Sequence, residues 1–117
     1  MANEITVSST LKYAKAKVSA SLATSFSATQ TGDKYEAGIQ IIGTTEETLS
    51  KVDIGTVGFC AIRNTDATNF VQVGTATGAY SIKLLPGEGC VFPARATNVY
   101  AKADTASCEV EYLLVEA

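Results

Sequence analysis

The chain has 117 residues, 46% of them hydrophobic and 18% charged, with 9 basic against 12 acidic side chains, a net charge of −3 and no histidine. At this length one domain with a single core is expected, and such a domain removes about two-thirds of its unfolded surface from water without staples. The dispersed, slightly acidic charge argues against nucleic acid and against a charged membrane surface as partners, because affinity for either rests on clustered Lys and Arg; no apolar run reaches the roughly 20 residues that cross a bilayer.

Residues 1–4 carry neither a basic patch nor an apolar stretch, so no secretory signal is expected. Residues 1–32 are dense in Ser, Thr and Ala and change phase partway: Ile5, Val7, Leu11 and Tyr13 share odd parity, whereas Val18, Ala20 and Leu22 share even parity. A one-residue slip moves every side chain to the other face, so a bulge or break is expected near residues 14–17. Ala, Lys and Leu between residues 11 and 22 also admit a helix, but the period of two favours strand. With such small side chains this segment reads as an extended N-terminal arm or edge strand that completes its packing on a neighbouring subunit.

After the turn Thr31-Gly32-Asp33-Lys34, residues 35–42 alternate, with Tyr35, Ala37, Ile39 and Ile41 on one face. Thr44 and Glu47 have capping-box spacing, but no amphipathic run follows, so a loop leading into a short strand over residues 48–52 is expected. Residues 56–74 then form the organising stretch, two apolar runs around the polar knot Asn64-Thr65-Asp66-Ala67-Thr68-Asn69, expected as a hairpin. In the first run Val57, Phe59 and Ala61 face one way, and Cys60 and Ile62 the other. A strand apolar on both faces belongs at the centre of a layer or is buried at a subunit contact. Further strands are expected over residues 79–85, over residues 90–92 with Pro93 closing the latter, over 99–103 and over 108–115, with Pro86-Gly87-Glu88-Gly89 as a strong turn. In the last strand Cys108, Val110, Tyr112 and Leu114 point inward and Glu109 and Glu111 outward. The core is expected to include Phe59, Ile62, Phe70, Val110 and Tyr112. About eight short strands separated by turns predict an all-β chain, an antiparallel β-sandwich or jelly roll.

The three cysteines, Cys60, Cys90 and Cys108, lie far apart inside apolar runs and read as buried core thiols, with one disulfide and a free thiol as the alternative. No zinc site is expected, since no CxxC pair and no histidine are present. The lack of histidine also removes the usual general base and the Ser-His and Cys-His pairs, and Glu109 with Glu111 read as solvated strand positions, so no catalytic residue and no cofactor are expected. Asn64, Asp66, Thr68 and Asn69 offer oxygens at spacings a calcium ion uses. Asn64, Asp66 and Asn69 are nonetheless expected, with Pro86 and Gly87, as turn residues, because Asn and Asp close turns through their own side chains. Trp is absent, and the Tyr and Phe positions fall mostly in phase with core positions, so nothing points to a sugar-binding face.

Five stretches, Gly43-Thr44-Thr45-Glu46-Glu47-Thr48, Asp53-Ile54-Gly55, the run from Arg63 to Gly74, Lys83-Leu84-Leu85-Pro86-Gly87-Glu88 and the run from Val99 to Ala106, resemble in the same order small β-rich virion proteins of tailed bacteriophages. The resemblance covers about residues 35–117 and rests on turn motifs, so it speaks to fold more than to a shared task. It implies a non-enzymatic structural component located in the virion and assembled in the bacterial cytoplasm. The first expectation is a capsid decoration or cement protein that binds the major capsid protein or other virion proteins, is homo-oligomeric and braces the head through multivalent contacts. A tail, adaptor or fibre-base subunit is the alternative within the virion, and a host-surface or glycan-binding β module the alternative outside it.

Overall fold

The computed structural model describes residues 2–117, and the chain divides into two compact units, up to residue 31 and from residue 32 onward. Among the described residues there are ten strands and no helix.

The first unit is one long hairpin, β1 (Ile5–Lys15) paired antiparallel with β2 (Val18–Ala28). Its turn is Ala16-Lys17, between the paired residues Lys15 and Val18. This accounts for the phase change read from the sequence. A two-residue turn brings odd positions of one strand opposite even positions of the other, so the expected bulge or break is instead a reversal of the chain. The apolar residues of both strands therefore share a face. That face carries the pairs Ile5–Ala28, Val7–Phe26, Ser9–Thr24, Leu11–Leu22, Tyr13–Ala20 and Lys15–Val18. The opposite face is built from Ser, Thr, Ala and Lys12. No described residue of this unit is buried.

The second unit is the sandwich. Its strands are β3 (Tyr35–Ile42), β4 (Glu47–Thr48), β5 (Val57–Asn64), β6 (Val71–Gly74), β7 (Ile82–Leu84), β8 (Gly89–Ala96), β9 (Tyr100–Ala103) and β10 (Cys108–Glu116). They form two four-stranded sheets, ordered β3-β10-β5-β8 and β4-β9-β6-β7, with every pairing antiparallel. The pairs β3–β10, β4–β9, β5–β8 and β6–β7 nest inside one another. This is one long antiparallel ribbon rolled so that alternate pairs fall into opposite sheets, which is jelly-roll topology.

The rolling corrects the expectation for residues 56–74: β5 and β6 are not a hairpin but lie in different sheets, and the polar knot carries the chain across between them. Two more boundaries move. β8 continues through Pro93 to Ala96 rather than stopping at it, as an edge strand allows, because a missing N–H on the open side breaks no ladder bond. The strands expected over 48–52 and 79–85 shrink to Glu47–Thr48 and Ile82–Leu84.

Apart from Phe59, the buried hydrophobic side chains among the described residues lie between the two sheets or in the loops closing them. One cluster joins Ile42, Val57, Cys60, Ile62, Cys108, Val110, Tyr112 and Leu114 of the first sheet with Val71, Val73, Leu84, Ala101 and Ala103 of the second, and with Leu49, Ile54 and Val99 from loops. Val57 and Phe59 do not share a face, as simple alternation predicted. An extra residue, Gly58, lies between them where β10 advances by only one position, and this bulge turns Val57 into the core with Cys60 and Ile62. Gly58 is fitted to the site: a Cβ there would come within 2.9 Å of the Ala117 backbone. Phe59 is buried on the outer side, with the Arg95 guanidinium 5.5 Å from its ring. Of the other expected core residues, Ile62, Val110 and Tyr112 are buried, and Phe70 is half-buried under the Lys83 ammonium, 4.1 Å from its ring centre.

Candidate interaction surface

The residues of the knot are placed by the chain crossing from one sheet to the other. Asn64, the last residue of β5, is 1% exposed, and each end of its amide is used. Its Nδ2 donates to the Asn69 and Leu84 carbonyls at 2.8 and 3.0 Å, and its Oδ1 accepts from the Asp66 N–H at 2.8 Å and the Cys108 thiol at 3.2 Å. Asp66 Oδ2 accepts from the N–H groups of Asn69 and Thr68, at 2.8 and 3.0 Å, and these bonds hold its carboxyl below the usual range. Asn69 Nδ2 donates to the Ser107 carbonyl.

The turn Pro86-Gly87 docks on the same residue. Gly87 has φ 86°, donates its N–H to the Asn64 carbonyl, and leaves the Asn64 N–H to the Glu88 carbonyl. The two loops thus interlock at the mouth of the sandwich around one buried amide. The side-chain oxygens that suggested an ion cage, Asn64 Oδ1 and Asp66 Oδ2, point at backbone N–H donors. Among the described residues no group of three or more Cys, Asp or Glu side chains is close enough to hold a metal ion.

The carboxylates do not converge. Glu109 accepts from the Thr65 hydroxyl at 2.8 Å, and Glu111 pairs with Arg63 at 2.6 Å on an exposed surface. Glu46 accepts from the Gly78 N–H and the Tyr80 hydroxyl; the bond to Tyr80 holds Glu46 below its ordinary value and pushes the phenol up to about 12. All three cysteines are free thiols, and burial pushes Cys60 up to about 12.

What stands out is the outer face of the sheet β3-β10-β5-β8. On the second sheet the outward positions include Lys83, Gln72 and Lys102, side by side in register. On the first sheet one outward row is Ala37, Leu113, Ala61 and Val91, and the next is Ile39, Glu111, Arg63 and Gly89. The apolar alternation of β3 faces out, not in: Tyr35 is 71%, Ile39 64% and Ile41 57% exposed. Apart from Ile42, which enters the core, the inward side of β3 is polar or small. Gln40 donates to Glu47 Oε1 and the Thr48 carbonyl and accepts from the Ser50 N–H, while Gly38 stands opposite Tyr112, whose hydroxyl donates to the Ser50 carbonyl.

Between Leu113, Val91 and the Arg63–Glu111 pair, the small residues Ala37, Ala61 and Gly89 leave a shallow cleft of about 400 Å³. Sequence reasoning missed this surface because the periodicity of residues 35–42 gives a face but not its direction. The exposure of Tyr35 and of Tyr13, 53% exposed on the ribbon, likewise departs from the expectation that the aromatics sit mostly in the core. Comparison of the chain with protein-family models, with curated proteins and with solved structures finds no match.

Proposed function

We propose that the chain is a non-enzymatic structural protein of a tailed-bacteriophage virion, a capsid decoration or cement protein that binds the major capsid protein or another shell component in many copies. The observation that carries the reading is the outer face of β3-β10-β5-β8, where Tyr35, Ile39, Ile41, Val91 and Leu113 are each at least 40% exposed, beside Glu109, Glu111 and Arg63 of the same face. Exposed apolar side chains gathered on one face and rimmed by polar residues usually mark a contact with another protein. The resemblance of its turn motifs to those of phage virion proteins and the jelly-roll topology, an architecture used by viral capsid and lectin domains, support the same reading at the level of fold. A shell repeats one surface many times, so modest affinity per contact suffices for occupancy.

The reading is tested on purified particles of the phage that encodes the chain. It expects the protein in many copies on the head, heads lacking it that lose their contents at lower temperature, and poor incorporation of an Ile39→Lys, Leu113→Lys variant that is still folded. Particles without the protein overturn it. Labelling at the tail would favour the adaptor or fibre-base reading, and glycan-array binding by a chain that particles lack would favour the host-surface module.

A further inference from the structure

We propose that the apolar face of the β1–β2 ribbon docks face to face and antiparallel on the same face of a second copy of this chain. The inference stands whether or not the protein belongs to a virion, because it concerns the first unit and that unit's own physical problem. A two-stranded hairpin is marginal in water without something against its apolar side. Here that side leaves Leu11 and Leu22 75% exposed, Val18 62%, Tyr13 53% and Phe26 41%.

The rows of this face indicate what covers it. From base to tip they run Ile5–Ala28, Val7–Phe26, Ser9–Thr24, Leu11–Leu22, Tyr13–Ala20 and Lys15–Val18. A two-fold axis across the middle of the strip lays β1 on β1 and β2 on β2 of the other copy, in opposite directions. Leu11 then rests on Ser9 of the second copy, Leu22 on Thr24 and Phe26 on Ala20, with Tyr13 on Val7 and Val18 on Ala28. In most of these pairs a bulky side chain meets a smaller one. The notch beside Ala20, lined by Leu11, Tyr13, Ser21 and Leu22, is the counterpart of such a ridge.

Charge selects the same direction. Lys15 and Lys17 lie at the tip, residues 5–31 contain no carboxylate, and Glu4 lies at the base. Stacking with both ribbons pointing the same way sets the two lysine tips together, whereas the antiparallel stack brings each tip to the other copy's Glu4. A strip of 11-residue strands is about 35 Å long, and two such faces in contact bury roughly 500 Å² per copy, near the lower limit for a specific interface. The expected association is therefore reversible, at about 1–100 µM.

Sedimentation of the full chain over a concentration series tests this. The parent is expected to pass from monomer to dimer in that range. The variant Leu11→Lys, Leu22→Lys should weaken dimerisation at least tenfold, while Thr10→Lys, Ala23→Lys, the same charge added on the polar face, should leave it within about twofold. A parent that stays monomeric at about 0.5 mM, or a dimer that survives Leu11→Lys, Leu22→Lys, overturns the proposal. Carbodiimide coupling of mixed heavy- and light-isotope chains tests the direction. Links from Lys15 or Lys17 of one copy to Glu4 of the other are expected, and a Leu11-dependent dimer without them overturns the antiparallel stack.

Discussion

Asn64 is the one fully buried polar side chain among the described residues, and its amide holds together the mouth of the sandwich. Asn64→Ala removes the side-chain bonds to the Leu84 carbonyl and the Asp66 N–H and leaves the Asn69 carbonyl only the Cys108 thiol, so it should cost about 2–4 kcal/mol in denaturant unfolding. Asp66→Ala removes bonds whose donors water can reach; its loss should be clearly smaller, and added calcium should not change the melting temperature of parent or variant. The thiols provide a second residue-scale prediction. Cys60 and Cys108 are buried and Cys90 is half-buried, and burial raises all three above the ordinary thiol value. With Ellman's reagent at neutral pH, Cys90 should react first and slowly, and the other two only as fast as the sandwich opens, all three becoming prompt in guanidinium. That Asn64 can bond backbone through its side chain was legible in its residue type. That it would be the buried centre of two interlocked loops was not, since Pro86-Gly87 reaches it only through the rolled topology.

At the scale of elements, the ribbon turn carries a strain that can be relieved. Ala16 sits at φ 55°, in the left-handed region that costs an L residue about 1–2 kcal/mol. Glycine adopts that conformation freely but loses more entropy on ordering, so Ala16→Gly should stabilise the hairpin by a net of about 0.5 kcal/mol. Slower amide exchange along β1 and β2, with no change in the sandwich, is the expected readout. The sequence signalled this element through its parity change but did not say whether a bulge or a reversal caused it, because both shift phase by one. In β5 the limit was similar. The apolar residues were visible, yet the bulge at Gly58 decides that Val57 enters the core while Phe59 packs outward under Arg95.

For the whole molecule, long-range carboxylate bonds set the response to acid. Glu116 accepts from the Gly55 N–H and the Asp33 N–H, tying two loops to the last strand, and the bond from Gly55 is the main reason its carboxyl lies below the ordinary 4.5. Glu46 is lowered chiefly by the Tyr80 hydroxyl, and Asp66 by the nearby N–H groups of Asn69 and Thr68. A carboxyl whose folded pKa is depressed binds fewer protons folded than unfolded, so its contribution is present above the unfolded value and is lost as pH falls through the folded one. The melting temperature should therefore be flat near neutrality and fall once pH drops below the ordinary values of 3.8 for Asp66 and 4.5 for the two glutamates. Glu116→Gln should lower the neutral plateau and shrink the acid drop; an unchanged drop would mean that other groups carry it.

The sequence by itself determined that the chain is all-β, where the main strand-bearing stretches lie, that the apolar alternation of β10 has Glu109 and Glu111 outward, and that the knot is built of turn-forming residues. These are local properties, set by side-chain period and backbone preference over a few residues. Only the tertiary structure decided which face of an alternating strand is inside, and it placed Tyr35, Ile39 and Ile41 toward water and Gln40 and Gly38 toward the second sheet. It alone separated β5 from β6 into opposite sheets, and it gathered most apolar residues of β1 and β2 onto one largely exposed face. Period fixes a face but not its direction; direction depends on which strands come to lie opposite, and in a rolled ribbon those partners are up to about 80 residues away in sequence.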